Sequence, residues 1–355
     1  MEIGKDKMPR LYLLSGLKFV AMLIIVAYHY GFNPIDLGAR MVEFLFVASG
    51  FLIGYNYYRK EIGGGYLYKK IRKIWPLHVL TLLCFMLLNF KNCILGFQNS
   101  DIPILLSNLF LLQAWSPRVS EVAFSYNGIS WFLCALIFCY FMSPYLLKTL
   151  KGKRLSLLLF CLVAFVRFAL EYWSIGQNLF SMQIHTSPVI RCLEFYMGML
   201  LVPCFLGFKE KLDKYKTETW FTVLWTFLEM ILMCLVLVLM FKFNATWLRG
   251  YYVLMFCVFT FFVSMDYGYC SKICSIKFIQ NIIALQFEIY MLQYIARLLF
   301  GFADIPYKIT VLIWFLLLFC LAFLYKRFLE DRLAKLLDKT LAFFRKILYK
   351  DINDA

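Results

Sequence analysis

Long apolar runs separated by short polar loops dominate this chain. They recur at 11–30, 39–57, 74–90, 129–148, 155–173, 188–206, 220–241, 247–265, 279–300 and 307–325. Each is close to the roughly 20 residues an α-helix needs to cross the hydrocarbon core of a bilayer. In lipid, every backbone polar group must be satisfied within its own segment. The pattern therefore predicts an all-α, polytopic membrane helix bundle of about ten transmembrane helices. A further run, IPILLSNLFLLQAW at 102–115, is too short to cross and is expected to be re-entrant or interfacial. Residues 1–325 read as one membrane domain without internal repeats, and 326–355 as a basic amphipathic tail. In that tail Leu329, Leu333, Leu336, Leu337, Phe344 and Leu348 recur at helical spacing, which suits a helix lying on an anionic inner leaflet.

Composition narrows the class. The chain has 355 residues, 63% hydrophobic and only 16% charged, with a mean hydropathy of +0.73. That excludes an ordinary soluble domain. A net charge of +16 would suggest nucleic acid in a soluble protein, but here the basic residues fall in short loops, so no nucleic-acid partner is expected. Lys5, Lys7 and Arg10 precede the first run. Arg59 to Lys73, Lys148 to Arg154, Lys209 to Lys216, Lys272 and Lys277, and the C-terminal tail follow on the same side. The opposite side holds only Arg40, Lys91, Arg118, Lys242, Arg249 and Lys308. The positive-inside rule then places both termini in the cytoplasm. The first run ends without a small-residue cleavage site and is expected to stay as a span. The 12 cysteines are scattered through apolar runs, with neither metal-ligand spacing nor a disulfide framework.

Ionisable residues inside the spans carry the chemistry. In KFVAMLIIVAYHY, Lys18 and His29 are eleven residues apart, close to three helical turns. They share one face, with a cation low and an imidazole high, separated by ~16 Å along the axis. Charges at such depth usually face a cavity or a partner. Glu43 opens the next helix at about the depth of His29. A carboxylate within reach would fix the imidazole tautomer and raise its basicity, as a general base requires. YLYKKIRKIWPLHVL places Lys70 and Lys73 three apart, with Arg72 beside them, at the inner surface before Trp75 and Pro76 start the third span. Such a cluster suits a phosphate-bearing ligand, although positive-inside residues need no ligand at all. Arg191 and Glu194, three apart, and Arg167 and Glu171, four apart, either satisfy each other or line an acceptor site. His78 reads as a satisfied structural residue. Trp131 reads as an interface anchor or cavity wall, with a substrate contact as the sharper alternative.

Four of these elements, in order, resemble the bacterial integral-membrane acyltransferases of acyltransferase family 3. They are Lys18 to His29 within LSGLKFVAMLIIVAYHY, then VEFLFVASGFLIG (42–54), KKIRKIWP, and SWFLCALIFCYFMSPYLL (130–147). Weaker echoes follow in IRCLEFYMGMLL and FEIYMLQYIARLLF. The resemblance implies a multi-pass protein of the bacterial inner membrane. It implies an O-acyltransferase that moves an acyl group, usually acetyl, from cytoplasmic acyl-CoA to a hydroxyl of a surface polysaccharide or its lipid-linked precursor. It carries the essential histidine onto His29 and the donor-binding basic pair onto Lys70 and Lys73; Arg72 beside that pair and Lys18 on the first helix read, from charge and position, as further donor contacts. Acyl-CoA is then the donor substrate and no metal is required. Where many members have arginines, this chain has Lys70 and Lys73. Lysine keeps the charge but loses bidentate geometry. Leu136 and Ile137 stand where many members carry an acid, and Gln293 where many carry a histidine, so no catalytic role is expected there. A transporter would also bury charges toward a cavity, but repeat symmetry is missing. A non-catalytic envelope-assembly protein would not need the low-and-high stripe of Lys18 and His29. Nothing in the pattern specifies an oligomer.

Overall fold

A computed structural model of the chain describes residues 8–31, 37–175, 181–242, 249–300 and 307–353. Lys5, Lys7 and the centre of the connection after the first helix lie outside them. Every regular element among the described residues is helical, without a strand. In chain order the helices are α1 (Tyr12–His29), α2 (Leu37–Tyr57), α3 (Tyr66–Leu88), α4 (Ile102–Leu109), α5 (Trp131–Leu147) and α6 (Lys153–Ile175). There follow α7 (Ser181–Thr186), α8 (Pro188–Leu200), α9 (Val202–Leu212), α10 (Thr219–Lys242) and α11 (Arg249–Val263). The last are α12 (Tyr269–Ser275), α13 (Lys277–Ile283), α14 (Gln286–Phe300), α15 (Tyr307–Leu324) and α16 (Glu330–Asn353).

Eight helical stretches among the described residues are long and apolar enough to cross a membrane, and α8 with α9 forms one of them. A ninth arises if α13 and α14, bent by 48° at their junction, count together. The shorter apolar stretch Tyr251–Val263 occupies the remaining expected position. The protein is thus an all-α polytopic bundle. Two boundaries differ from the pattern. The run at 279–300 is broken, and the third helix starts at Tyr66 instead of near Trp75, so Pro76 lies inside it. Proline removes the bond to the carbonyl four residues back and crowds that carbonyl. The helix survives that loss because Ile74, Leu77 and His78 on either side are buried.

The chain divides into two compact units. The first comprises residues 1–62 and 138–284, the second 63–137 and 285–355. In the first unit α2 is the centre, buried almost from end to end and packed on α1, α8 and α11. Its apolar surface runs all round, as an enclosed helix requires. It crosses α8 backbone to backbone. A Cβ on Gly50 would collide with the Phe195 carbonyl, and one on Gly198 with the Val47 carbonyl. Small residues at such crossings let membrane helices approach where no hydrophobic force drives them together. Helices α6 and α10 lie further out and expose Leu158, Phe165, Phe227 and Ile231, which is what lipid-facing surfaces do.

The start of α1 has no acidic residue and no capping side chain of its own. Half-buried Asp266, 254 residues away, supplies the acceptor for the Tyr12 amide at 2.6 Å and for the Leu13 amide at 3.0 Å. Those bonds satisfy two of the orphan donors at the helix N-terminus. Burial raises the Asp266 carboxyl from 3.8 to about 6 despite the two amides, which pull it down. A raised carboxyl favours the folded state most below its unfolded value, and that advantage is lost as pH rises through about 6. Asp266→Asn, whose single amide oxygen keeps one of the two bonds, is expected to lower stability by a pH-independent amount and to abolish this component. Wild-type melting temperature should fall relative to the variant between about pH 4 and 7; parallel curves would contradict it.

In the second unit α14 packs on α3 and α15, and the amphipathic α16 packs on α3. Asp338 of α16 accepts from the Arg72 Nε at 3.0 Å and from the Tyr68 hydroxyl. The short run at 102–115 forms the eight-residue α4 and a single 3-10 turn, Gln113–Trp115. It is tied to α3 by Trp75, whose indole donates to the Leu109 carbonyl at 2.9 Å, and by His78, bonded to the Asn108 carbonyl at 2.8 Å. His78 is thus a buried structural residue.

Candidate active site

His29 ends α1, and Lys18 lies three turns below it. The positions that join them along the helix, Met22 and Ile25, are buried, whereas Val20 and Tyr28 are exposed. The ridge carrying Lys18 and His29 therefore faces into the first unit, not into lipid. Both end residues are half-buried. The Lys18 ammonium donates to Ser49 Oγ of α2 at 3.0 Å, which fixes the lower end of the ridge against α2. The His29 ring sits 5.7 Å from the Tyr28 ring at a tilted angle. An imidazole at a helix C-terminus, partly open and on an inward ridge, can accept and return a proton there.

Glu43 is enclosed in the first half of α2, and Arg40 lies 4.0 Å from its Oε1. The sequence pattern puts Arg40 at the very start of the second run, counted among the charges of the opposite side. In the structure it is a buried helical residue with its guanidinium 4.7 Å from the centre of the Tyr252 ring. The spacing of three between Arg40 and Glu43 was the available signal. Glu43 also lies in the electrostatic reach of Glu194, Arg191 and Arg167. Those residues form a buried ionic network. Arg191 donates to Glu194 at 2.7 Å, Arg167 to the other oxygen of Glu194 at 3.0 Å, and Arg167 to Glu171 at 2.6 Å. Both pairs singled out by spacing are in contact, and Arg167 links them, which spacing alone did not reveal. Arg191 and Glu194 are each 0% exposed, so they face one another and their helices instead of open space. Ser187 caps α8 and Pro188 begins it, which sets Arg191 in the first turn.

The basic cluster belongs to the second unit and forms the opening turns of α3, not a separate surface turn. Lys70 lies 5.4 Å from the centre of the Tyr66 ring, Arg72 is paired with Asp338, and Lys73 is exposed. Trp131 starts α5 and is buried, with its ring edge-on to Phe132 at 6.3 Å. Gln293 is buried too and donates to the Tyr290 carbonyl at 2.9 Å. Glu288, unassigned from sequence, pairs with Lys326 at 2.9 Å. Ser49 and Asp266, which hold Lys18 and the start of α1, gave no signal in the pattern.

No curated protein and no solved structure matches the chain. A family model does, and it runs from the start of α1 to the end of α15. The model describes an acyltransferase domain and matches residues 11–325, so the chain belongs to acyltransferase family 3, a family of membrane acyltransferases.

Proposed function

We propose that this membrane acyltransferase is an O-acyltransferase of the bacterial inner membrane with both termini cytoplasmic. It takes an acyl group, acetyl by preference, from cytoplasmic acyl-CoA and places it on a hydroxyl of a surface polysaccharide or its lipid-linked precursor. The observation that carries the reading is the inward ridge of α1, with Lys18 anchored on Ser49 and His29 at its end, inside a chain matched by the family over 11–325.

In this reading His29 takes the proton of the acceptor hydroxyl as its oxygen attacks the thioester carbonyl. The tetrahedral intermediate expels the coenzyme A thiolate, and the imidazolium returns its proton to that sulfur. Protons and charges balance without a further reactant. Glu43, the carboxylate that the sequence pattern offers to orient the imidazole, accepts no hydrogen bond from His29 in the structure and sits among buried charges instead. Lys70 and Lys73 attract the donor phosphates, and Arg72 joins them only by exchanging Asp338 for phosphate. Replacing both Lys70 and Lys73 by Ala is expected to raise the KM for acyl-CoA by about ten-fold or more, since a hydrogen bond to a charged group contributes about 1.5 kcal/mol. An unchanged KM removes the pair from donor binding. Mass spectrometry of the host's surface glycans, with and without the gene, tests the reading as a whole. Loss of a single acyl increment supports it, and identical glycans from both strains refute it.

A further inference from the structure

At one end of the first unit a cavity of about 470 Å³ opens among the C-terminal turn of α2, the start of α6 and one face of α9. Its wall carries Tyr58, Arg59, Lys60, Lys153 and Glu210, three cations against one carboxylate, and the remainder is largely apolar, including Leu206. Two local features build it. Arg59 follows α2 with φ 56°, in the left-handed region that a side chain enters only at a cost. That turn is closed by the Lys60 amide on the Tyr57 carbonyl at 3.0 Å. On α9, Gly207 leaves the space across which Lys153 lies, because a Cβ there would collide with its Cε and Nζ.

We propose that this cavity is a binding site for the headgroup of an anionic phospholipid. The charge excess matches a phosphodiester, and guanidinium and ammonium groups are its usual donors. A site for a free soluble anion does not need the apolar share of this wall. It also does not need what adjoins the wall. Immediately after Lys153, α6 turns Leu155, Leu157, Leu158 and Leu162 outward along its first turns. Those leucines are a surface for acyl chains whose head sits at Lys153. Basic pockets between membrane helices commonly recognise anionic headgroups in this manner. Glu210 adds selectivity, because a glycerol or other hydroxyl-bearing head can donate to it, whereas a choline head has no hydroxyl to offer.

The test uses the full-length protein, purified and delipidated, in phosphatidylcholine nanodiscs with graded phosphatidylglycerol, read by native mass spectrometry. Wild type should retain phosphatidylglycerol selectively. Arg59→Gly with Lys153→Ala should weaken retention about ten-fold or more. Arg59→Gly also relieves the left-handed turn, so a lost lipid is not a lost fold, which the melting temperature without phosphatidylglycerol checks. Gly207→Ala keeps every charge but displaces the Lys153 ammonium, and should give a smaller loss. Equal retention by wild type and the double variant overturns the proposal. So does complete displacement of phosphatidylglycerol by millimolar inorganic phosphate or coenzyme A, which would make the cavity a soluble-anion site. Neither result bears on acyl transfer at His29.

Discussion

His29→Ala is expected to slow acyl transfer by about 10²- to 10⁴-fold, the usual worth of a positioned general base. The argument rests on position. His29 ends a ridge whose intermediate residues, Met22 and Ile25, are buried and whose lower end is fixed by Lys18 on Ser49. Imidazole is the one side chain whose ordinary titration range spans neutral pH, so it can both take and return the proton at that place. The substitution removes a half-buried ring at a helix terminus and should leave the fold intact. Acyl-CoA binding should survive, because the groups assigned to the donor phosphates lie elsewhere in the chain. The measurement is acyl transfer in membranes supplied with acyl-CoA, alongside coenzyme A binding to the purified variant. A near-normal rate would falsify the assignment of the base.

Glu194→Gln should be the most damaging single change to stability, at about 3–5 kcal/mol, because it strands buried cations that were paired. Both oxygens of Glu194 are in use, one on Arg167 and one on Arg191. The pair is 0% exposed, so bulk solvent does not screen the stranded cations. Replacing Arg191 by Met and Glu194 by Leu together should cost less than either change alone. It removes a matched pair and leaves Arg167 on Glu171. Thermal unfolding of the single and double variants in detergent measures the coupling. Additive costs would mean that the network does not act as one unit.

Much of this architecture was legible as pattern. Ten apolar runs mark the helices because lipid admits almost nothing else across its core. The Lys18 to His29 spacing is legible for a simpler reason: three turns of a helix bring both onto one ridge whatever surrounds them. His78 reads as structural because a lone histidine on an apolar span is most easily satisfied by a backbone carbonyl, and in the structure it is buried against that of Asn108. Helix ends were less legible. Pro76 suggested a start, yet packing on both sides of it carries α3 back to Tyr66.

By itself, the sequence determined the fold class and the shared ridge of Lys18 and His29, because both follow from periodicity within a segment; that the ridge faces inward was decided by packing. Partners from distant segments were decided only in three dimensions. Asp266 caps a helix 254 residues away, and Arg167 joins Glu171 of its own helix to Glu194 of another. The close crossing of α2 and α8 at Gly50 and Gly198 sets where such side chains meet. Hydropathy specifies that a segment is buried in lipid or protein, but which charge it meets depends on helix crossings that no local pattern encodes.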